Sequence, residues 1–160
     1  MSDIEATVQA LAERVRVLED QLAIYRLVAS YGPAVDSGNA DAVGRMWTED
    51  GVYDVDTPGP LEGRASVSAM VAGKGHQSLI HGGAGHVMAM PVVTLDGDRA
   101  VATGYSRLYL RDGDGFRVWR VAANRWELQR TADGWQVTNR VNRVLDGRAD
   151  ARELLGRAAG

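Results

Sequence analysis

Val87-Met88-Ala89-Met90-Pro91-Val92-Val93-Thr94-Leu95-Asp96-Gly97-Asp98-Arg99-Ala100 decides the architecture of this chain. Residues 87–95 are apolar on both alternating faces, the pattern of a strand covered on both sides. Asp96-Gly97 then reverses the chain, because glycine reaches the positive φ that a two-residue hairpin loop needs. The same device recurs downstream. Arg99 to Arg111 reads as a strand, Asp112-Gly113-Asp114-Gly115 as a turn, and Phe116 to Thr131 as a strand. Asp133-Gly134 turns again into a strand from Trp135 to Leu145. An antiparallel meander is therefore expected after residue 86.

Upstream the apolar period lengthens to three and four. Val8, Leu11, Val15, Leu18, Leu22 and Tyr25 make a stripe, with Glu13, Arg14, Arg16, Glu19 and Asp20 between them. This predicts an amphipathic helix over the first thirty residues. Ile24, Leu27, Val28 and Tyr31 widen the stripe, so its second half should enter the core. The first half suits packing across the domain or against a second subunit. Pro33 lacks an amide hydrogen and predicts a kink or an end there. Asn39 can cap a short helix from Ala40 to Trp47. Thr48-Glu49-Asp50-Gly51 reads as a turn, Val52-Tyr53-Asp54-Val55 as a short strand and Thr57-Pro58-Gly59-Pro60 as a loop. Arg64 to Ala72 reads as a third helix. Gly73, Gly75, Gly82, Gly83 and Gly85 suggest a permissive loop ending at His86, at the start of the first long strand. A last helix is expected from Arg148 to Arg157.

Helices followed by a meander predict an α+β domain whose helices cover one face of a curved sheet. The domain is expected over residues 24–147, with a helical extension over 1–23 and a tail over 148–160. The 160 residues suffice for one core without staples. An apolar fraction of 45% and a charged fraction of 24% are ordinary for a soluble protein and argue against disorder or a membrane span. The net charge of −3 offers no basic footprint for nucleic acid. The absence of cysteine excludes disulfides, thiolate metal sites and cysteine nucleophiles. Met1 to Thr7 lacks the positive region and apolar run of a secretory signal, so a cytoplasmic location is expected.

Two segments carry candidate chemistry. Tyr31 and Asp36 leave the long helix where Gly32 and Pro33 disturb it, and His86 arrives from the sheet. Imidazole is substantially neutral near pH 7, and a carboxylate on one ring nitrogen leaves the other free to accept a proton. His86 and Asp36 are thus a candidate general base and its orienting acid. Tyr31 could donate a hydrogen bond to a carbonyl or a departing hydroxide. Arg140 could pair with a carboxylate at the rim; it lies opposite Arg143 on its strand, and which of these faces looks inward is left open. Trp47, Tyr53, Met88, Trp119 and Asn142 are candidates to line a pocket for a hydrophobic ring, although large aromatic side chains are also ordinary core. His76, His81 and His86 recur every five residues, a spacing that aligns them on neither a strand nor a helix. No metal is expected. Asp112-Gly113-Asp114-Gly115 lacks the later ligands of a calcium loop.

The order Tyr31, Ala34-Val35-Asp36, Trp47-Thr48-Glu49-Asp50-Gly51-Val52-Tyr53, Leu61-Glu62-Gly63, His86 and Leu95-Asp96-Gly97-Asp98-Arg99-Ala100 resembles the nuclear transport factor 2-like fold in its SnoaL-like branch. The resemblance runs from about Ile24 to Leu145 and implies a cone holding a small apolar ligand. Within the branch the spacing is most similar to scytalone dehydratase, bile acid 7α-dehydratase and hexachlorocyclohexane dehydrochlorinase. The resemblance implies that His86 removes a substrate proton, that Asp36 holds its ring, and that Tyr31 and Arg140 assist the leaving group, with Arg143 competing for the arginine's role. A cofactor-independent lyase acting on a small cyclic or polyketide-like substrate is therefore expected, with no nicotinamide, flavin or metal. The lyases it resembles imply a homotrimer, or else a dimer. An isomerase or cyclase on the same scaffold, a non-catalytic ligand-binding or assembly module, and an oxygenase β subunit are the alternatives.

Overall fold

The structure, a computed structural model, describes residues 3–56 and 58–158. Thr57, the first residue of the expected loop, lies outside the described residues, as do Met1, Ser2, Ala159 and Gly160.

Helix α1 runs over Asp3–Asp36 and continues one turn past Pro33. Of the kink or end expected at Pro33, the end does not occur there. Proline forfeits one intrahelical bond, but Tyr31, Gly32 and Val35 are buried around it and their packing carries the helix on. Burial begins only at Asp20 and then follows the helical period through Ile24 and Val28. Ile4, Val8, Leu11, Val15 and Leu18 before Asp20, and Leu22 just after it, stand exposed, so the stripe does not pack on its own domain. Asp20 anchors the transition. Its carboxylate accepts from Arg130 Nη2 at 2.6 Å, Trp135 Nε1 at 3.1 Å and Arg16 Nη1 at 3.2 Å. The Arg130 hydrogen bond, with the Trp135 one, holds its carboxyl below the usual carboxylate range.

Helix α2 spans Ala40–Arg45, capped by Asn39 Oδ1 on the Ala42 amide at 3.0 Å. It stops short of Trp47, which instead opens strand β1, Trp47–Asp54. The residues expected as a turn, Thr48 to Gly51, form an irregular stretch inside β1, where its register against a later strand shifts between Trp47 and Val52. Strand β2, Pro60–Glu62, pairs back on β1. Helix α3 spans Arg64–Ala72, and helix α4 spans Lys74–His81. A loop was expected at α4 because of its glycines. It buries no residue, and side-chain tethers hold it instead: Gln77 Nε2 donates to Val71 O at 2.9 Å and His76 Nε2 to Val35 O at 2.8 Å.

The expected strand over residues 87–95 is two strands, β3 (Ala84–Met88) and β4 (Val92–Asp96). Pro91 lies between them and cannot donate to a ladder. Residues of β4 alternate between exposed and half-buried, so it is not covered on both sides. His86 sits mid-strand in β3. Strands β5 (Arg99–Asp112), β6 (Gly115–Thr131) and β7 (Gly134–Val144) form the expected meander, and helix α5 covers Ala149–Gly156. The seven-stranded sheet has the order β2-β1-β7-β6-β5-β3, with β4 also paired to β5. Only β1 with β7 is parallel among these pairs. The core lies between the sheet and helices α1, α2 and α3, around Ile24, Val35, Val43, Val67, Trp126 and Val137. On the other side of the sheet, α5 seats Ala151 and Leu154 beside Ala123.

Candidate active site

Asp36 is the last residue of α1, and its approach to β3 depends on the residue one turn earlier. A Cβ on Gly32 would lie 2.1 Å from the carbonyl oxygen of His86. Only glycine lets helix and strand come this close. The consequence is a two-point clamp. Asp36 Oδ2 accepts from the His86 backbone amide at 2.7 Å, and Oδ1 meets His86 Nδ1 at 2.5 Å. An ionised carboxylate only accepts, so Nδ1 carries the proton and Nε2 is left as the basic nitrogen. Nε2 has no hydrogen-bond partner among the described residues, and the ring lines a cavity of about 550 Å³. Burial lowers the imidazole's pKa below its ordinary value, outweighing the raising effect of Asp36; His76 and Arg140 add to the lowering. Neutral, basic imidazole is the favoured form at neutral pH.

The far wall is built from register. Tyr53 on β1, Arg140 on β7, Trp126 on β6 and Ala102 on β5 lie in one cross-strand row. Asn142, Asn124 and Gly104 form the next row. Arg140 is 1% exposed and faces the cavity, whereas Arg143 turns outward to Asp54 and Asp150. The Arg140 guanidinium carbon stands 3.9 Å from the Trp126 ring centroid, 4.1 Å from Tyr31 and 4.4 Å from Tyr53. Its Nε and Nη2 donate to Asn124 Oδ1 at 3.1 and 2.8 Å. Tyr31 is buried beside Tyr53 and Arg140. Burial chiefly, with Tyr53, pushes its hydroxyl well above the ordinary phenol range, so it stays a proton donor.

Of the residues expected to line the pocket, Tyr53, Met88, Trp119 and Asn142 do so. Trp47 does not. It has no exposed surface and stacks behind Tyr31 and Tyr53, with ring centroids 6.0 and 5.7 Å away, because β1 begins there and turns it into the core. Two cavity residues, His76 and Arg120, and one residue behind the cavity wall, Asn124, were given no role at the site by the sequence reading. His76 lies on α4, 5.7 Å ring to ring from His86. Arg120 lies beside Trp119 on β6, and Asn124 organises Arg140 from behind. Arg120 continues the inward alternation of Trp126, Asn124 and Ala122, and a β-bulge brings Trp119 in beside it. Leu108 pairs with Arg120 and Tyr109 with Val118, so Trp119 is an extra residue and two neighbours face one side.

The chain matches the SnoaL-like domain over residues 16–141. It belongs to the SnoaL-like domain family. This family, part of the nuclear transport factor 2-like superfamily, includes polyketide cyclases and dehydratases, and its members are often enzymes. Among solved structures, the SnoaL-like chain is 42% identical to an NTF2-like protein with a cystatin-like fold from Novosphingobium aromaticivorans, covering 91% of this chain and 94% of that one with a TM-score of 0.88. It shares its fold with Aln2 from a Streptomyces species, at 14% identity over 86% of this chain and 94% of that one, TM-score 0.68. A protein from Catenulispora acidiphila in complex with S-DNPA has the same fold, at 19% identity over 88% and 98% of the respective chains, TM-score 0.64. No curated protein matches the chain. Among the described residues, no group of His, Asp or Glu side chains could hold a metal ion, and no helix is long and apolar enough to cross a membrane.

Proposed function

We propose that this protein is a cytoplasmic, cofactor-independent lyase that dehydrates a small hydrophobic, cyclic or polyketide-like β-hydroxy carbonyl compound. His86 Nε2 takes the proton from the carbon beside the carbonyl. The released electron pair forms the new carbon–carbon double bond as the C–O bond breaks. Tyr31 gives its proton to the departing oxygen, which leaves as water, and the proton held on His86 then restores the Tyr31 hydroxyl. Arg140 steadies the negative charge that develops on oxygen. Asp36 fixes the imidazole tautomer and stabilises the imidazolium formed. The observation that carries this reading is the two-point Asp36–His86 clamp with Nε2 turned to a largely apolar cavity.

The reading is tested by incubating the protein with β-hydroxy ketones of this class and weighing the product. Loss of one water is expected. His86→Ala should reduce turnover by about 10²- to 10⁴-fold, the usual worth of a positioned base. Turnover at the wild-type rate in folded His86→Ala would refute it. The proximity of His76 to His86 favours one second reading. A second imidazole could return the proton to another carbon, making an isomerase or cyclase, and the product mass would then be unchanged.

A further inference from the structure

The cavity's charge is unbalanced. Arg107, Arg120 and Arg140 line it, and no carboxylate is among the described lining residues. Asp36 stands behind His86 with both oxygens engaged. Several arginines outside the cavity are matched to acids. Arg130 pairs with Asp20 and Asp98, Arg143 with Asp54 and Asp150, and Arg148 with Asp56 and Asp146. Arg120 and Arg140 form no ion pair among the described residues. Their polar partners are neutral: Arg140 donates to Asn124 Oδ1 and interacts with the Tyr31 hydroxyl, and Arg120 Nη2 donates to Asn142 Oδ1 at 2.7 Å and Val55 O at 3.3 Å. Asn142 Nδ2 also donates to Asn124 Oδ1, at 3.0 Å, so one amide chain links the two guanidinium groups.

Two donors in this assembly are buried without an acceptor, Arg140 Nη1 and Arg120 Nε. Such orphans are costly, and a buried cation without a counter-charge more so. The rings of Tyr31, Tyr53 and Trp126 favour the Arg140 cation electrostatically. A ring face does not replace an oxygen acceptor for the guanidinium's unused N–H, so the rings leave the orphaned nitrogen unexplained.

We infer that the substrate of this site is an acid: a small, largely apolar molecule whose carboxylate is seated on Arg140 and Arg120, with its body against the apolar lining. This deepens the lyase reading by naming the substrate's charge and shares its cavity. It rests on that cavity as the substrate site, but binding the acid does not require proton abstraction.

The test compares 2-naphthoate with its uncharged isostere 2-naphthamide by titration calorimetry. Naphthoate should bind at least ~10-fold more tightly, since hydrogen bonds to an ionised acceptor are about twice as strong as neutral ones. Arg120→Gln, with folding checked by circular dichroism, should erase most of that preference. His86→Ala should keep it, so loss of catalysis and loss of the anion seat are read separately. Equal affinity for the two compounds, no naphthoate binding up to millimolar concentration, or a preference untouched by folded Arg120→Gln would overturn the inference. If Arg120→Gln fails to fold, the wild-type ratio alone decides.

Discussion

At the residue scale, His86 is governed by two opposed influences. Desolvation lowers its pKa and Asp36 raises it, with the first the larger. A base works only when unprotonated, so activity should fall on the acid side as His86 takes up a proton. The acid limb of kcat/KM is therefore expected below the ordinary imidazole value of about 6.5. In Asp36→Asn the raising partner is lost, and the midpoint of any residual activity should move lower still. A limb above pH 7 in the wild type, or an upward shift in Asp36→Asn, would contradict this assignment of the base. Both residues were readable from sequence because an imidazole and a carboxylate are chemically conspicuous. Arg120 was not, although it shares the inward alternation of Trp126 and Asn124, because an arginine on a strand reads as a solvent-facing residue. Trp47 misled for a related reason. An indole at an expected helix end reads as a rim residue, yet here it starts a strand and is sealed beneath two tyrosines.

At the element scale, the meander was readable because each reversal is written in glycine. Gly97 and Gly113 both take φ 57°, and their flanking residues pair across two-residue loops. The region before it was harder. Glycines at 73, 75 and 82 disguised α4, whose stability comes from tethers to distant carbonyls that no local pattern records. Pro91 did signal the break between β3 and β4, but the apolar run on both sides of it masked the signal. The contact between α1 and β3 is the most exacting in the fold. Gly32→Ala should force the helix away from the strand, costing about 1–3 kcal/mol by overpacking and pulling Asp36 off His86. Denaturant unfolding and turnover should therefore fall together. An unchanged midpoint with full activity would mean that the close approach is not needed.

At the scale of the whole molecule, one sheet and three helices enclose a site, while much apolar surface is left outside it. Ile4, Val8, Leu11, Val15, Leu18 and Leu22 along α1, and Tyr105, Phe116 and Val118 on the sheet, are all exposed. We propose that copies of the chain cover these faces in a homo-oligomer, a trimer or otherwise a dimer. Sedimentation equilibrium should give a multiple of 17.2 kDa. Leu11→Lys with Leu18→Lys should reduce that mass if the helical stripe takes part, and a wild-type monomer would end the proposal. The enclosure itself is uneven. Strands wall the site on one side through continuous ladders, but α4 contributes His76 and Leu79 to it without burying any residue. A molecule entering can therefore displace this single short segment and leave the ladders intact, so admission costs only a local opening. Backbone amides of α4 should exchange with heavy water much faster than those of β6 and slow when the site fills. Equal protection in both would mean that the doorway lies elsewhere.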